Sequence, residues 1–280
     1  MIYLIIGILF SSMLSILLRI SEKYVKGDTA TLAMNYVCCT VVAFLDAGTF
    51  RVFSPHPGLD VALVLGIIGG FAYLGSFLLL QYNIKTNGVV LPATFMKLGL
   101  LVPTISSVII FRERPDILQI IGFCLAIAAI ILINSGKKGE GAKQLKIGLL
   151  VALLILAGIG DVMSKFHEEW GSADLTEAFL FYIFLTACIL CLGVTAFKKQ
   201  KIGLWEIFFG LIIGIHNYYS SKFVLIALKT LPAVVVFPTF SVGCIVVVTL
   251  AGLLLFKEKL TKRQGTALGI IMIALAMLNM

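Results

Sequence analysis

The stretch LPATFMKLGLLVPTISSVIIFRE, residues 91–113, has a counterpart in VFPTFSVGCIVVVTLAGLLLFKE, residues 236–258. With Leu91–Ser135 laid on Val236–Met280 at an offset of 145 and no gap, nine of 45 positions are identical. They are Thr94/Thr239, Phe95/Phe240, Val102/Val247, Thr104/Thr249, Phe111/Phe256, Glu113/Glu258, Gln119/Gln264, Ala129/Ala274 and Asn134/Asn279. Apolar composition explains some of these matches, but it does not place a Glu and a Gln together, nor pair FRER with FKEK. Weaker echoes lie upstream: SEKY at Ser21–Tyr24 against MSKF at Met163–Phe166, and IKT at Ile84–Thr86 against LKT at Leu228–Thr230. The chain is therefore expected to hold two copies of one unit, 1–135 and 146–280, joined by the linker GKKGEGAKQL at 136–145.

Each copy is built of apolar runs. The 280 residues are 60% hydrophobic and 13% charged, against about 45–50% and 25% for soluble domains. Mean hydropathy is +1.08. Ten runs approach or exceed the roughly 20 residues that cross a hydrocarbon core: Ile2–Leu18, Thr29–Phe50, Leu59–Tyr82, Gly88–Phe111, Ile117–Asn134, Ile147–Val162, Leu175–Phe197, Ile202–Leu225, Leu231–Phe256 and Gly265–Asn279. The first run has no basic segment before it and no A-x-A-like site after it, so it reads as a first transmembrane helix and not as a cleaved signal. An all-α membrane protein of ten transmembrane helices follows. Five helices per copy is an odd number, so the second copy enters the bilayer from the opposite face. Such inverted repeats give many secondary transporters two gates around one midplane site.

The net charge of +8 lies in loops, which argues for a bilayer partner and against nucleic acid. Loops after odd-numbered helices hold 15 Lys and Arg: Arg19, Lys23, Lys26, Lys85, Lys137, Lys138, Lys143, Lys146, Lys198, Lys199, Lys201, Lys257, Lys259, Lys262 and Arg263. Those after even-numbered helices hold five, namely Arg51, Arg112, Arg114, Lys165 and Lys229. On this bias the odd-numbered loops face the cytoplasm and both termini face out. All six cysteines fall in apolar runs and imply no disulfide framework. Cys188-x-x-Cys191 has no His or acid beside it to complete a metal site.

On the tandem halves, and on penultimate helices that close with FRER or FKEK before a polar turn and a last helix ending in Asn, the chain resembles the drug/metabolite transporter superfamily, in its ten-helix EamA-type branch. The resemblance implies a basket of ten helices in two inverted five-helix repeats around a central cavity, lined mainly by helices one, three, four, six, eight and nine. It also implies movement of small metabolites or drugs, commonly outward, and both termini in the cytoplasm, the reverse of the charge count. Glu113 and Glu258, flanked by basic residues, read most simply as interfacial ion clusters that fix a turn.

Ionisable groups in hydrocarbon cost about 2.5–3.5 kcal/mol even on translocon scales. Lys97 is the tenth of 24 residues in its run, close to the midplane, and the repeat places Val242 opposite it. Thr94, Lys97, Thr104 and Ser107 share an arc of about 140° on a helix, and Pro92 and Pro103 bracket them as helix-breaking, gating positions, as Pro238 does in helix nine. Lys97 fits either a carboxylate or phosphate of a substrate, with or without proton exchange, or an ion pair with an acid on another helix. Helix eight adds His216, Asn217, Tyr219, Ser220, Ser221 and Lys222, a cluster equally suited to a wet cavity or to mutual hydrogen bonds. Tyr73, Ser76 and Asn83 on helix three and Ser11, Ser12 and Ser15 on helix one complete the candidates. Asp161, in the last turn of run six, joins Lys97 and His216 as a coupling candidate, although it also reads as interfacial, as does Asp46.

These residues point to a secondary active transporter in the cell membrane, expected to export small organic metabolites, amino acids or other carboxylate-bearing solutes preferred. A multidrug exporter of lipophilic compounds is the alternative within the class, disfavoured by the midplane cation. A non-catalytic membrane sensor or scaffold is the alternative outside it. No H-E-x-x-H, nucleophile turn or P-loop occurs, so neither an enzyme nor a cofactor is expected. A homodimer is an admissible partner state that the sequence does not fix. The charge count makes a testable statement about orientation: single cysteines in the 137–146 loop are expected to resist a membrane-impermeant maleimide added to intact cells, and labelling only from outside would reverse it.

Overall fold

The computed structural model describes residues 1–48, 52–53, 56–87, 92, 95–96, 98–134, 147–255 and 262–278. Among these residues ten α-helices follow in order: α1 Ile2–Ser21, α2 Asp28–Ala47, α3 Leu59–Asn87, α4 Leu101–Ile110, α5 Ile117–Asn134, α6 Ile147–Trp170, α7 Thr176–Phe197, α8 Leu204–Leu228, α9 Ala233–Leu255 and α10 Lys262–Leu278. Short 3-10 turns, Leu98–Leu100 and Ala173–Leu175, lead into α4 and α7. Helix is the expected solution, because hydrocarbon offers no partner for a backbone N–H or C=O and a helix satisfies both internally. Seven helices, α1, α2, α3, α6, α7, α8 and α9, are long and apolar enough to cross a membrane, while Leu98–Ile110, Ile117–Leu132 and Gly265–Leu278 are shorter apolar helices. The chain is an all-α, multi-pass integral membrane protein.

The helices sort into two compact units that interleave the halves of the sequence. One is Met1–Leu74 with Met163–Thr230; the other is Gly75–Val162 with Leu231–Met280. Each unit thus draws on both halves, and α3 and α6 each contribute to both units. The linker at 136–145 lies outside the described residues.

Within the first unit, α2 packs on α7 and α8, and α1 packs on α8. Apolar side chains gain little by leaving lipid for one another, so helices in a membrane associate through close backbone approach and interhelical hydrogen bonds. Glycine supplies that approach at two crossings. A Cβ at Gly210 would lie 2.4 Å from Met34 Cβ, and one at Gly214 2.5 Å from Cys38 Cβ. The other crossing puts α3 on α7, where Cβ atoms at Gly66 and Gly70 would lie 2.5 Å from Tyr182 Cβ and Thr186 Cβ. Polar clamps tie the loops of this unit. Glu206 takes the Lys26 N–H at 2.8 Å and the Gly203 N–H at 3.1 Å, and Gln200 takes the Ala30 N–H at 3.1 Å.

The second unit packs α5 on α10 and α4 on α9. Its closest approach is between α6 and the start of α4, where a Cβ on Gly158 would lie 2.5 Å from both the Gly99 carbonyl oxygen and Val102 Cβ. Asn83 donates to its own Leu79 carbonyl at 2.9 Å and to the Leu149 carbonyl of α6 at 3.1 Å.

One sequence boundary moves materially. Helix α6 continues eight residues beyond the apolar run that predicts it, to Trp170. Lys165 makes this extension affordable, bonding Glu168 at 2.8 Å and Glu169 at 2.6 Å one turn on. Lys165 and His167 are therefore buried helical residues and not loop residues, and Asp161 lies well inside α6 rather than in its last turn. Glycine at the α2–α8 crossing makes its own prediction. Gly214→Leu should lower stability by about 1–3 kcal/mol, the usual cost of overpacking, whereas Gly193→Ala, with nothing within 4 Å of the added carbon, should be close to neutral. Thermal unfolding in detergent measures both, and equal effects would refute the crossing as the constraint.

Candidate functional site

Helix α8 carries the densest set of candidates. His216 Nδ1 lies 2.8 Å from the Ile212 carbonyl oxygen one turn earlier, and its ring packs 5.6 Å from that of Phe10 on α1. Tyr219 also meets Phe10, at 5.5 Å, and Phe223 at 6.3 Å. Asn217 donates to Asn35 of α2 at 3.2 Å, and Ser220 donates to the Gly7 carbonyl of α1 at 3.3 Å. The four residues thus touch α1 and α2 within the first unit. Tyr73 meets Phe184 edge-on at 6.4 Å, and Ser76 is buried on the same helix. Ser12 is 1% exposed and its hydroxyl has no hydrogen-bond partner among the described residues.

In the second unit, Thr104 donates to the Leu100 carbonyl and Ser107 to the Thr104 carbonyl, both at 2.8 Å. These hydroxyls satisfy themselves on their own helix, as Ser and Thr commonly do in apolar surroundings. Pro103 is the third residue of α4, in the first turn, where its missing N–H leaves no bond unmade. Pro92 is helical and buried. Helix α9 runs continuously through buried Pro238. Asp161 is half-buried in α6. Lys97 and Thr94 lie outside the described residues, as does Glu258.

Glu113 has a defined role that the interfacial-cluster expectation misses. Its two carboxylate oxygens accept the N–H groups of Ala233, at 3.0 Å, and Val234, at 3.2 Å, the first residues of α9. A helix N-terminus presents unsatisfied donors and a partial positive charge, so a carboxylate is the matching cap. The turn that aims it runs through Arg112 at φ 56°, with the N–H groups of Phe111 and Glu113 both on the Ser107 carbonyl at 3.2 Å.

A second group was not legible as a group. Lys222 of α8 bonds Asp46 of α2 at 2.6 Å and Glu177 of α7 at 3.0 Å, and Tyr218 donates to the same Asp46 oxygen at 2.6 Å. One ammonium thus holds two carboxylates from two other helices. The two bonded pairs are 176 and 45 positions apart and join α2, α7 and α8, so only the fold brings all three residues together. The Cys188-x-x-Cys191 pair packs toward α2, the Cys191 thiol lying 3.6 Å from the Thr29 carbonyl.

Comparison with known proteins agrees with this architecture. Residues 145–280 match the model of the EamA-like transporter family. A protein from Haemophilus influenzae described as uncharacterised is 26% identical over 270 residues, covering 92% of this chain and 91% of its own length. A solved crystal structure with 15% identity superposes with a TM-score of 0.79, covering 99% of this chain and 94% of its own, which establishes a shared fold. The second half of the chain thus matches the EamA-like transporter family, in agreement with the resemblance to the drug/metabolite transporter superfamily.

The three-helix ion cluster yields a stability prediction. Lys222→Met leaves two carboxylates facing each other; because the groups are 19–33% exposed, the loss should be about 1–3 kcal/mol rather than the 3–5 of a fully buried pair. Adding Asp46→Asn should cost less than its effect in the wild type, with a coupling of about 0.5–3 kcal/mol in a double-mutant cycle. Additive losses in thermal melts would show that the contact contributes nothing.

Proposed function

We propose that this chain, on the premise of its EamA-like second half, is a secondary active transporter of the cell membrane that exports small organic metabolites by alternating access. Amino acids and other carboxylate-bearing solutes are the preferred class. The observation that carries the substrate class is Lys97: a cation at the tenth position of a 24-residue apolar run, with an apolar residue opposite it in the second copy. A charge there is costly in hydrocarbon, and such residues mark substrate or ion pathways.

In this reading Lys97 holds the substrate carboxylate. Thr94, Thr104, Tyr73, Ser76, Ser12, His216, Asn217, Tyr219 and Ser220 line the remainder of the path. Ser12 supports it best among the described candidates, since its buried hydroxyl has no partner. Thr104, Asn217 and Ser220 already have protein partners, so they would contribute walls and orientation more than free donors. Lys97, Asp161 and His216 are the proposed coupling groups, and Pro92, Pro103 and Pro238 the proposed points of flexure. Two inverted five-helix repeats would supply the two gates. Support comes from the paired glycine crossings, α3 on α7 and α8 on α2, which use GxxxG spacing in equivalent helices of the two copies. The chemistry is transport without catalysis, no cofactor is required, and each copy in a homodimer would hold a complete path.

The test is counterflow in proteoliposomes loaded with an amino-acid panel, with and without a pH gradient. A charge-assisted hydrogen bond contributes about 1.5–3 kcal/mol, so Lys97→Met should reduce exchange of carboxylate-bearing solutes roughly 10–100-fold. Unchanged uptake, preference and pH response in Lys97→Met would remove the substrate assignment.

A further inference from the structure

At one end of α6, α7 and α8, wholly within the first unit, a cavity of about 220 Å³ is lined by His167, Glu168, Ala173, Thr176, Leu225 and Lys229. None of these residues is needed by the transport path proposed above. Two observations make it a built site. His167 is 3% exposed, and neither of its ring nitrogens has a hydrogen-bond partner among the described residues. A neutral imidazole carries one donor and one acceptor, and leaving both unmet in a buried place is costly. The ring is nevertheless held firmly. It stacks on Phe179 at 4.3 Å with planes 8° apart, and Gly171 gives it room, since a Cβ there would lie 2.4 Å from Nδ1.

The charges around the cavity are unequally matched. Glu168 shares Lys165 with Glu169, at 2.8 and 2.6 Å. Lys229 reaches the Ala173 carbonyl at 3.3 Å, and among the described residues no carboxylate lies within ion-pair distance of it. Deeper on the same face of α8, Lys222 is occupied by Asp46 and Glu177. The opening therefore presents an ammonium with donors to spare, a carboxylate only partly neutralised, and an imidazole with both nitrogens unused, while the Thr176 hydroxyl is spent on the Ala173 carbonyl at 2.9 Å. Its volume lies below the roughly 300–1,000 Å³ of sites for drug-sized ligands.

We propose that this cavity is a second binding site, for a small zwitterion of the amino-acid class, with the carboxylate on Lys229 and the ammonium on Glu168, while His167 meets the ligand with its ring nitrogens. It rests on the transport reading only for the class of solute; the pairing of unlike charges comes from the lining itself. A simple anion would face Glu168 and a simple cation would face Lys229, so each half-ligand meets one repulsive wall.

The experiment uses the full chain in lipid nanodiscs, with no gradient and no transport. The chain has three histidines, His56, His167 and His216, so uniformly ¹⁵N-histidine-labelled protein gives three imidazole environments, that of His167 being identified by its loss in His167→Gln. Titration with L-alanine should shift the His167 signals saturably, and propionate and ethylamine should each require at least tenfold higher concentration. Lys229→Met, at an exposed helix end, should weaken the alanine response at least tenfold. A His167 signal that does not move, or moves only in proportion with His56 and His216, means that the cavity holds water alone and overturns the proposal. A response to propionate equal to that to alanine overturns the zwitterion assignment. Counterflow failing while the His167 shift persists refutes the transport reading and leaves this site standing; counterflow intact with no shift refutes this site alone.

Discussion

Four glycines, Gly66, Gly70, Gly210 and Gly214, set how closely the helices of the first unit approach, and much else in that unit depends on the distance. With the α8 backbone pressed against α2, Asn217 comes within 3.2 Å of Asn35, and the Gly214 carbonyl within 3.2 Å of the Cys39 thiol. Two turns further on, the same contact delivers Lys222 and Tyr218 to Asp46. In water, apolar side chains could drive such packing at larger spacing. In lipid the attraction must come from contact itself and from the polar bonds that contact permits, so an added methyl group at Gly214 would also loosen the ion cluster near the helix ends.

That cluster illustrates how charge is used in this chain. Lys165 closes on Glu168 and Glu169, Lys222 on Asp46 and Glu177, Glu206 on two backbone N–H groups, and Glu113 on the first two N–H groups of α9. Each of these charges meets either an opposite charge or an orphan helix donor. A buried polar group with neither stands out against this background, which gives His167 and Ser12 their significance.

Apolar runs were enough to locate all ten helices, because the hydrocarbon core imposes an apolar composition on each, although only seven of the described helices reach a spanning length. Helix ends were less legible. The run that predicts α6 stops at Val162, yet the helix continues to Trp170, because Lys165, Glu168 and Glu169 neutralise one another at spacings of three and four residues, a term that hydropathy does not count. The site was legible only where its signal is local. The polar crowding at 216–222 is visible in one run, whereas the Lys222 pairing with Asp46 spans 176 positions and the Glu113 cap spans 120.

The two copies differ in length where the cation lies. The tripeptide Leu-Pro-Ala occurs at 91–93 and again at 231–233, an offset of 140, while Phe111 and Phe256 close the same runs at an offset of 145. Between these landmarks the first copy is five residues shorter, about 7.5 Å of helix at 1.5 Å per residue. Aligned from the front, Lys97 faces Phe237; aligned from the back, it faces Val242. Either register sets a cation against an apolar residue, so the asymmetry does not depend on where the gap is placed. In the shorter copy a 3-10 turn at Leu98–Leu100 leads into α4, whereas α9 runs unbroken from Ala233 to Leu255. A transporter whose gates were chemically identical would need no such difference. On the transport reading proposed above, the cation of one copy alone would meet the substrate, which makes the two gates chemically unequal.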